Sequence, residues 1–192
     1  MADIIKEILR DFPEGMITSA NFEGANIVLY TGNKSFFLDN EGMVKQAVSK
    51  VKKRIELRSD KDLLVDQEKA EDMIRKLIPS ECSVDNIIFD EPRSLVFIET
   101  QKPGVAIGKG GAILKDIREQ TCWVPVIRRT PPVRSQIIED IRAVLYLNND
   151  DRRKFLDRVG HRIYDGWTRG ERKYEWVRIS YLGSARQVGR SW

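Results

Sequence analysis

Near the middle of the chain, three glycines and a lysine lie together and could bind a phosphate group. The stretch is Gly108-Lys109-Gly110-Gly111. Gly108 and Gly111 let the backbone turn sharply and lie close to a ligand, because glycine has no Cβ atom. Apolar residues at helical spacing follow, so the stretch opens a predicted helix, whose free N–H groups and dipole attract anions. Lys109 adds a full positive charge, and the pattern therefore predicts a phosphate-binding loop.

A nucleotide-binding P-loop is a poor explanation of the same glycines. That motif has the form GxxxxGK[ST], in which the Ser or Thr binds magnesium. Here three residues separate Gly104 from Gly108-Lys109, and Gly110 stands where Ser or Thr should be. Neither an acidic pair nor a base–nucleophile set lies nearby in the sequence. The loop is therefore predicted to bind a ligand and not to catalyse a reaction.

The cysteine and histidine counts argue against a metal site or a disulfide framework. The 192 residues include two cysteines and one histidine, whereas a zinc site needs three or four nitrogen, sulfur or carboxylate ligands. We predict that Cys82 and Cys122 are small buried apolar side chains and that His161 lies on a helix face. No cofactor is expected in this chain.

The distribution of apolar residues favours a cytoplasmic chain with no membrane partner. Apolar residues make up 41% of it, enough for a packed core, but no apolar run approaches the roughly 18 residues of a membrane helix. Residues Met1 to Phe12 alternate apolar and charged types, unlike a signal peptide.

The charges are divided unevenly between the two halves of the chain. From Gln101 to Trp192 there are 19 Lys and Arg against 10 Asp and Glu, while residues 1–100 hold 14 against 19. A basic half beside an acidic half suggests that the second half contacts a polyanion. Ordinary solvated surface explains the charge pattern equally well, so charge alone does not decide.

An internal repeat with an offset of 69 residues relates the glycine stretch to an earlier segment. Leu38 to Val48 aligns with Ile107 to Ile117, with apolar residues at matching positions and Gly42 aligned with Gly111. An alternating strand precedes each segment, at Ile27–Thr31 and Val96–Thr100. Each copy is thus predicted to run helix, strand, strand, glycine loop, helix, strand, with small insertions between copies.

The element boundaries follow from periodicity and from helix-ending residues. We predict helices from about Gln67 to Ile78, capped by Asp66 and stopped by Pro79, and from about Gly42 to Lys53 and Gly111 to Gln120. Other expected elements are strands at Met16–Phe22, Ser83–Phe89, Ile55–Arg58 and Cys122–Arg128, a helix at Ser135–Leu147, a helix capped by Asp150 or Asp151 that reaches Tyr164, and a strand at Trp176–Leu182.

The stretch from Gly104 to Ile117 resembles the signature of K-homology (KH) domains, V-I-G-x-x-G-x-x-I-x-x-I. The resemblance implies that the loop clamps the backbone of about four nucleotides of single-stranded RNA while bases lie in an apolar groove. Trp123 could stack on a base, although a buried position suits it better. The predicted RNA-binding residues are Val105, Ile107, Gly108, Lys109, Gly110, Gly111, Ile113, Lys115, Arg128 and Arg129.

The first copy departs from this signature. Its loop is Asp39-Asn40-Glu41-Gly42, and carboxylates repel phosphate at a cost on the order of a kcal/mol each when close. We predict that the first unit keeps the fold without the clamp. Lys50, Lys52, Lys53 and Arg54 could contact RNA, but the charged, solvated end of a helix is the favoured explanation.

The order of parts along the whole chain resembles the N-terminal region of archaeal homologues of the cleavage and polyadenylation specificity factor ribonuclease. The resembling segments are the two KH units, Val126–Pro132, a helical pair with Val159–Ile163, and Trp176–Gly183. It implies an α+β fold with two tandem KH domains, residues 1–66 and 67–132, then a helical linker, 133–165, and the start of a β-CASP metallo-β-lactamase domain, 166–192.

The resemblance places the zinc ligands of that family downstream of these residues. The parent protein is then a zinc-dependent ribonuclease acting in mRNA 3′-end processing or transcription termination, and this chain is not itself an enzyme. Its implied partners are single-stranded RNA and the parent catalytic domain in cis. We expect a monomeric or weakly associating chain, with a poorly ordered Leu182–Trp192; a protein-interaction scaffold with incidental RNA binding is the alternative.

Overall fold

The computed structural model describes residues 4–40, 42–131, 135–147 and 149–164, together with the backbone of 168–169 and 172–173. The predicted strand at Trp176–Leu182 and the predicted disorder of Leu182–Trp192 lie outside these residues. The described residues form two similar α+β units followed by two helices, which confirms the predicted fold class.

The first unit packs three helices against one face of a three-stranded sheet. Strands β1 and β2 are antiparallel, and β2 pairs in parallel with β3, in the order β1-β2-β3. Its elements are α1 (Ile4–Leu9), β1 (Ser19–Glu23), β2 (Asn26–Thr31), α2 (Lys34–Leu38), α3 (Met43–Val51) and β3 (Ile55–Ser59). The core of this unit contains Ile8, Phe22, Ile27, Leu29 and Phe37, each almost inaccessible to solvent.

The second unit repeats this topology, with sheet order β4-β5-β6. Its elements are α4 (Gln67–Leu77), β4 (Val84–Asp90), β5 (Leu95–Thr100), α5 (Pro103–Ile107), α6 (Ala112–Thr121) and β6 (Val124–Arg129). Ile74, Ile98 and Ile117 are fully buried in its core, and burial of an isoleucine side chain contributes about 1.5–3 kcal/mol. Asp66 caps α4 as predicted, because its carboxylate accepts from Glu68 N at 3.2 Å.

The second unit has one additional residue within the helix that follows the loop, because α6 spans ten residues and α3 spans nine. Gly42 and Gly111 both precede that helix with positive φ and are 69 residues apart. The helix then ends at a left-handed residue, Lys52 in one unit and Cys122 in the other, 70 residues apart. The last strands of the two units therefore align at an offset of 70, so Leu57 matches Ile127 and not Val126.

Two short helices were missing from the sequence prediction, α2 and α5, one before each loop. Each has only five residues, too few to show a helical period. The signals are local: Asn33 caps α2 by accepting from Phe36 N at 3.1 Å, and Pro103 occupies the first turn of α5, where its missing N–H costs nothing. Residues Val105 to Ile107 are thus helical.

Two helices follow the units, α7 (Gln136–Leu147) and α8 (Asn149–Tyr164), and then a pair of two-residue strands, β7 (Thr168–Arg169) and β8 (Arg172–Lys173). The prediction that Asp150 or Asp151 caps α8 was wrong, because the helix already begins at Asn149 and both carboxylates lie in its first turn. There they still favour the helix, since negative charge suits the N-terminal end of the dipole.

Helix α8 packs on the first unit across β1. Phe22 N donates to Asp157 Oδ1 at 3.0 Å, and Gly24 N donates to Leu156 O at 3.1 Å. The Phe22 ring stacks on Tyr164, with ring centroids 4.9 Å apart. This close approach requires Gly160, because a Cβ built there would lie 2.0 Å from Phe22 Cβ.

Candidate nucleic-acid interface

The glycine loop connects α5 to α6 through a backbone that glycine alone adopts readily. Gly108 has φ 75° and ψ 170°, and Gly110 and Gly111 have φ 64° and 80°. Residues Lys109–Gly111 form one 3-10 turn, in which Gly111 N donates to Gly108 O at 3.2 Å. A Cβ at Gly108 would lie 2.9 Å from Ile113 Cγ1, so this glycine is required both by its φ and by its neighbour.

The start of α6 presents backbone N–H groups that no side chain caps. The N-cap residue is Gly111, which has no side chain to accept from them. The first N–H groups of a helix have no intrahelical partner and carry the positive end of the dipole. Lys109 is exposed beside them. A helix start with these features can bind a phosphate oxygen.

Apolar side chains accompany the loop and remain open to solvent. Val105 and Ile107, on α5, are 38% and 36% exposed, while Ala106 between them is buried in the core. Ile113, in the first turn of α6, packs half-buried against the same core. Exposed apolar groups beside an anion site match the chemistry of a nucleotide, whose base is apolar on its faces and whose backbone is charged.

The structure separates the predicted site residues into three groups. Val105, Ile107, Gly108 to Gly111 and Ile113 lie together at the loop. Lys115 is exposed one turn along α6 and pairs with Glu119 at 3.6 Å. Arg128 and Arg129 lie on opposite faces of β6, since neighbouring side chains of a strand alternate.

Strand alternation assigns the two arginines to different surfaces. Ile127 packs against the core of the second unit, so Arg129 is on the helix-covered side of the sheet. Arg128 is on the other side, with its Cζ 3.8 Å from the Phe97 ring centroid. The sequence prediction grouped both with the loop because it treated the strand end as one basic patch.

The first unit's loop follows a different path. Asp39, aligned with Gly108, has φ −135° and ψ 108°, whereas Gly108 uses a positive φ. Gly42 keeps φ 77° and still precedes α3. Glu41 lies outside the described residues. The loop thus retains the helix start but differs from the second loop in both backbone path and charge.

The basic residues at and just after the end of α3 make contacts with the first unit and with α8. Lys50 donates to Asp11 at 2.8 Å, Arg54 pairs with Glu56 at 3.3 Å, and Lys53 Nζ lies 5.6 Å from the Tyr164 ring centroid. Lys52 ends the helix in a left-handed conformation. These contacts agree with the interpretation of a charged, solvated helix end.

The predicted positions of Trp123, the two cysteines and His161 are confirmed. Trp123 is 1% exposed, and its indole N–H donates to Val65 O at 2.8 Å, so it is a core residue. Cys82 and Cys122 are free and buried, and burial raises the pKa of both thiols. His161 lies on α8 with its ring edge-on to Phe22 at 4.9 Å.

A buried ion-pair network between the units had no signal in the sequence. Arg58 is 2% exposed and donates to both Glu23 oxygens, at 2.8 and 2.9 Å. Arg93, from the second unit, donates to the same carboxylate at 2.7 and 3.0 Å. Burial raises the pKa of Glu23, but the two arginines outweigh that effect and lower it to about 2.

Direct hydrogen bonds also join the two units near the cores. Ser59 Oγ donates to Cys122 O and Ser94 Oγ donates to Ser59 O, both at 2.6 Å. Arg118 donates to Phe37 O at 2.9 Å and lies over the Phe37 ring, 4.0 Å from its centroid. The second unit is therefore held against β3 and α2 of the first unit.

The described residues hold no group of three or more His, Cys, Asp or Glu side chains arranged to bind a metal ion. They therefore do not fit the zinc centre that the family resemblance implies for the parent protein. In the same part of the chain, no helix combines the length and apolar character needed to cross a membrane.

Comparisons with known proteins give a consistent result. The family described as "Transcription termination factor FttA, KH domain" matches residues 1–64. Proteins named transcription termination factor FttA are 42% identical over 194 residues in Thermococcus kodakarensis, covering 98% of this chain, and 38% identical over 194 residues in Methanothermobacter thermautotrophicus, covering all of it. The chain spans about 30% of the length of these curated relatives.

Proposed function

Because the chain belongs to the archaeal transcription termination factor FttA family, whose KH region it matches, we propose that it is a single-stranded RNA-binding module. In this proposal the module recruits RNA and positions it for the zinc-dependent ribonuclease of the parent protein, in transcription termination or mRNA 3′-end processing. The catalytic domain of the parent is its partner in cis, and the cytoplasm is its expected location.

The observation that carries the proposal is the loop Gly108–Gly111 at the uncapped start of α6. Its N–H groups and Lys109 provide the positive potential for a backbone phosphate. Val105, Ile107 and Ile113 provide apolar contacts for unpaired bases. Duplex RNA hides its bases in the stack, so this combination favours single strands.

The structure refines the choice of variant for a test. Replacing Gly108 and Gly111 together by Asp would remove the clamp, but Gly108 tolerates no Cβ without moving Ile113. At Gly111 no atom lies within 4 Å of a built Cβ, and Asp and Asn both tolerate its left-handed φ. Gly111→Asp and Gly111→Asn have nearly the same shape and differ in charge.

We expect Gly111→Asp to weaken binding to unpaired RNA at least tenfold more than Gly111→Asn does. The difference should shrink as salt rises, since it comes from repulsion of phosphate. Fluorescence anisotropy with a labelled RNA measures it, and circular dichroism checks that both variants are folded. Equal affinities of two folded variants would refute the clamp.

A protein-interaction scaffold is the second candidate, and α7 is the observation that favours it. One face of α7 is apolar, and its side chains are between 48% and 72% exposed within the described part of the chain. These side chains are Ile137, Ile138, Ile141, Val144 and Leu145. Light scattering over a range of concentrations tests this reading. The RNA proposal expects a monomeric or weakly associating chain, whereas a stable oligomer at every concentration would favour the scaffold.

A further inference from the structure

A cleft of about 590 Å³ lies between the two units, on the opposite side of the second sheet from the glycine loop. Its first wall is the edge of the first unit, with Asn40, Val44, Ile55 and Leu57. Its second wall is the outer face of the β5–β6 pair, where Leu95 is in register with Val124 and Phe97 with Val126. The volume is in the range of pockets that hold a small organic ligand, roughly 300–1,000 Å³.

The cleft occupies the place in the first unit that the clamp groove occupies in the second. Asn40 and Val44 align with Lys109 and Ile113 at the offset of 69, and Leu57 aligns with Ile127 at the offset of 70 of the last strands. In the first unit this groove has lost its glycine clamp. The second unit covers it from the other side.

Arginine side chains dominate the lining of the cleft. Six arginines and one glutamate, Glu56, line it. Arg58 and Arg93 are neutralised by Glu23 and Asp90, yet positive charges still outnumber negative ones. The six arginines are Arg54, Arg58, Arg93, Arg118, Arg128 and Arg152.

The arginines have distinct roles in this lining. Arg118 anchors the units, as it donates to Phe37 O at 2.9 Å and to Leu57 O at 3.5 Å. Arg54 lines the cleft, is 74% exposed and pairs with Glu56 at 3.3 Å. Arg152 reaches the lining from α8, and Arg128 lies over the Phe97 ring.

We propose that this cleft is a second binding site for the same single-stranded RNA. Phosphates of the strand contact Arg54, Arg128 and Arg152, and unstacked bases lie against Val124 and Val126, the half-buried apolar side chains of the second wall. The arginines supply the positive charge that the degenerate first loop lacks. The inference rests on the proposed function for the identity of the polyanion.

Strand β6 gives the RNA a short route from one site to the other. It is the end strand of the sheet order β4-β5-β6, so its outer edge pairs with no other strand among the described residues. Its alternate side chains face the cleft, through Val126 and Arg128, and the clamp side, through Ile127 and Arg129. A strand of RNA that crosses this edge contacts both grooves.

The test compares two RNA lengths on a cleft variant, Arg54→Gln/Arg152→Gln. An RNA of about four nucleotides fills the clamp alone, and one of about 12 nucleotides can also reach the cleft. We expect the variant to bind the short RNA as the parent chain does. For the long RNA, we expect the salt dependence of log K to become shallower by about 1.4, the loss of two phosphate contacts to a single strand.

The control variant is Lys69→Gln/Lys76→Gln, which removes the same charge from the exposed surface of α4 and should leave both RNAs unaffected. An unchanged salt slope of the cleft variant for the long RNA would overturn the inference. The inference would also be overturned if the cleft variant kept its RNA binding and lost binding of polyglutamate. That result would make the cleft a docking site for an acidic protein. A failure of the proposed clamp would be seen in a different measurement, because the Gly111→Asp variant would then bind the short RNA as the parent chain does.

Discussion

Among single residues, Lys109 has the simplest role, because it places one exposed positive charge beside the uncapped start of α6. The side chain is exposed, and its backbone lies within the 3-10 turn of the loop. It can therefore neutralise one phosphate without supporting the fold. Loss of its charge should change binding and leave stability unchanged.

Replacing Lys109 by Gln should reduce the affinity for unpaired RNA and make the salt dependence of log K shallower by about 0.7, the value for one phosphate of a single strand. Affinity measurements at several salt concentrations give this slope. Lys69→Gln removes an exposed lysine from α4 and is the matched control. A slope that matches the parent chain would show that Lys109 contacts no phosphate.

The Glu23 carboxylate has a structural role between the units. It is 5% exposed and accepts hydrogen bonds from Arg58 and Arg93, which lower its pKa to about 2 from an ordinary value of 4.5 despite its burial. A depressed folded-state pKa means that the unfolded chain binds more protons in that range. The stabilisation is thus complete above about pH 4.5 and is lost as pH falls towards 2.

We predict that Glu23→Gln lowers the free energy of unfolding at neutral pH by about 3 kcal/mol, the equivalent of the pKa shift. The difference from the parent chain should shrink between pH 4.5 and 2. Burial raises the pKa of Asp90, which acts in the opposite direction in both chains. Urea unfolding at several pH values tests this, with the exposed Glu14→Gln as control; a pH-independent difference would contradict the assignment.

Among the elements, the longer helices and the strands of the two units were predicted to within about three residues, whereas the shortest helices and the two-residue strands β7 and β8 were not predicted. Helix α4 shows its apolar stripe over 11 residues and has a capping Asp66, so periodicity and cap agree. Helices α2 and α5 span a single turn and depend on Asn33 and Pro103. The loop glycines were recognised from the sequence because the signature defines their spacing along the chain.

The packing of α8 against the first unit leads to a prediction about Gly160. Gly160 is buried, and a Cβ there would lie 2.0 Å from Phe22 Cβ and 2.8 Å from Gly24 O. Alanine normally favours a helix over glycine by about 1 kcal/mol, but here the overpacking costs about 1–3 kcal/mol or more. Gly160→Ala should therefore lower the melting temperature.

Gly104→Ala is the matched control for that substitution. Gly104 also lies in a helix, α5, and no atom lies within 4 Å of a built Cβ. Alanine at this position should be neutral or slightly stabilising. Thermal unfolding of the two variants compares them directly, and equal melting temperatures would show that α8 does not pack on β1 in solution.

At the scale of the whole molecule, the two units share one boundary, and no local sequence pattern could reveal it. The cleft arginines come from positions between Arg54 and Arg152, and the network of Glu23, Arg58 and Arg93 joins residues 35 and 70 positions apart. Sequence periodicity reports on neighbours along the chain. Side chains that meet through tertiary packing leave no such record.

The repeat explains how one unit can keep the fold without the clamp. The cores depend on apolar positions that both units retain, whereas the clamp depends on a few loop residues. In the first unit those residues are free to change, and its groove faces the second unit. We therefore infer that the second loop, and not the first, clamps RNA.

The most direct measurement is a titration of the ¹⁵N-labelled chain with an unpaired RNA of about four nucleotides, followed by amide chemical shifts. We predict that the largest shifts occur at Lys109 to Ile113 and that the aligned first-loop residues Asp39, Asn40 and Gly42 change little. Binding with its largest shifts in the first loop, or with Lys109 to Ile113 unperturbed, would contradict this prediction.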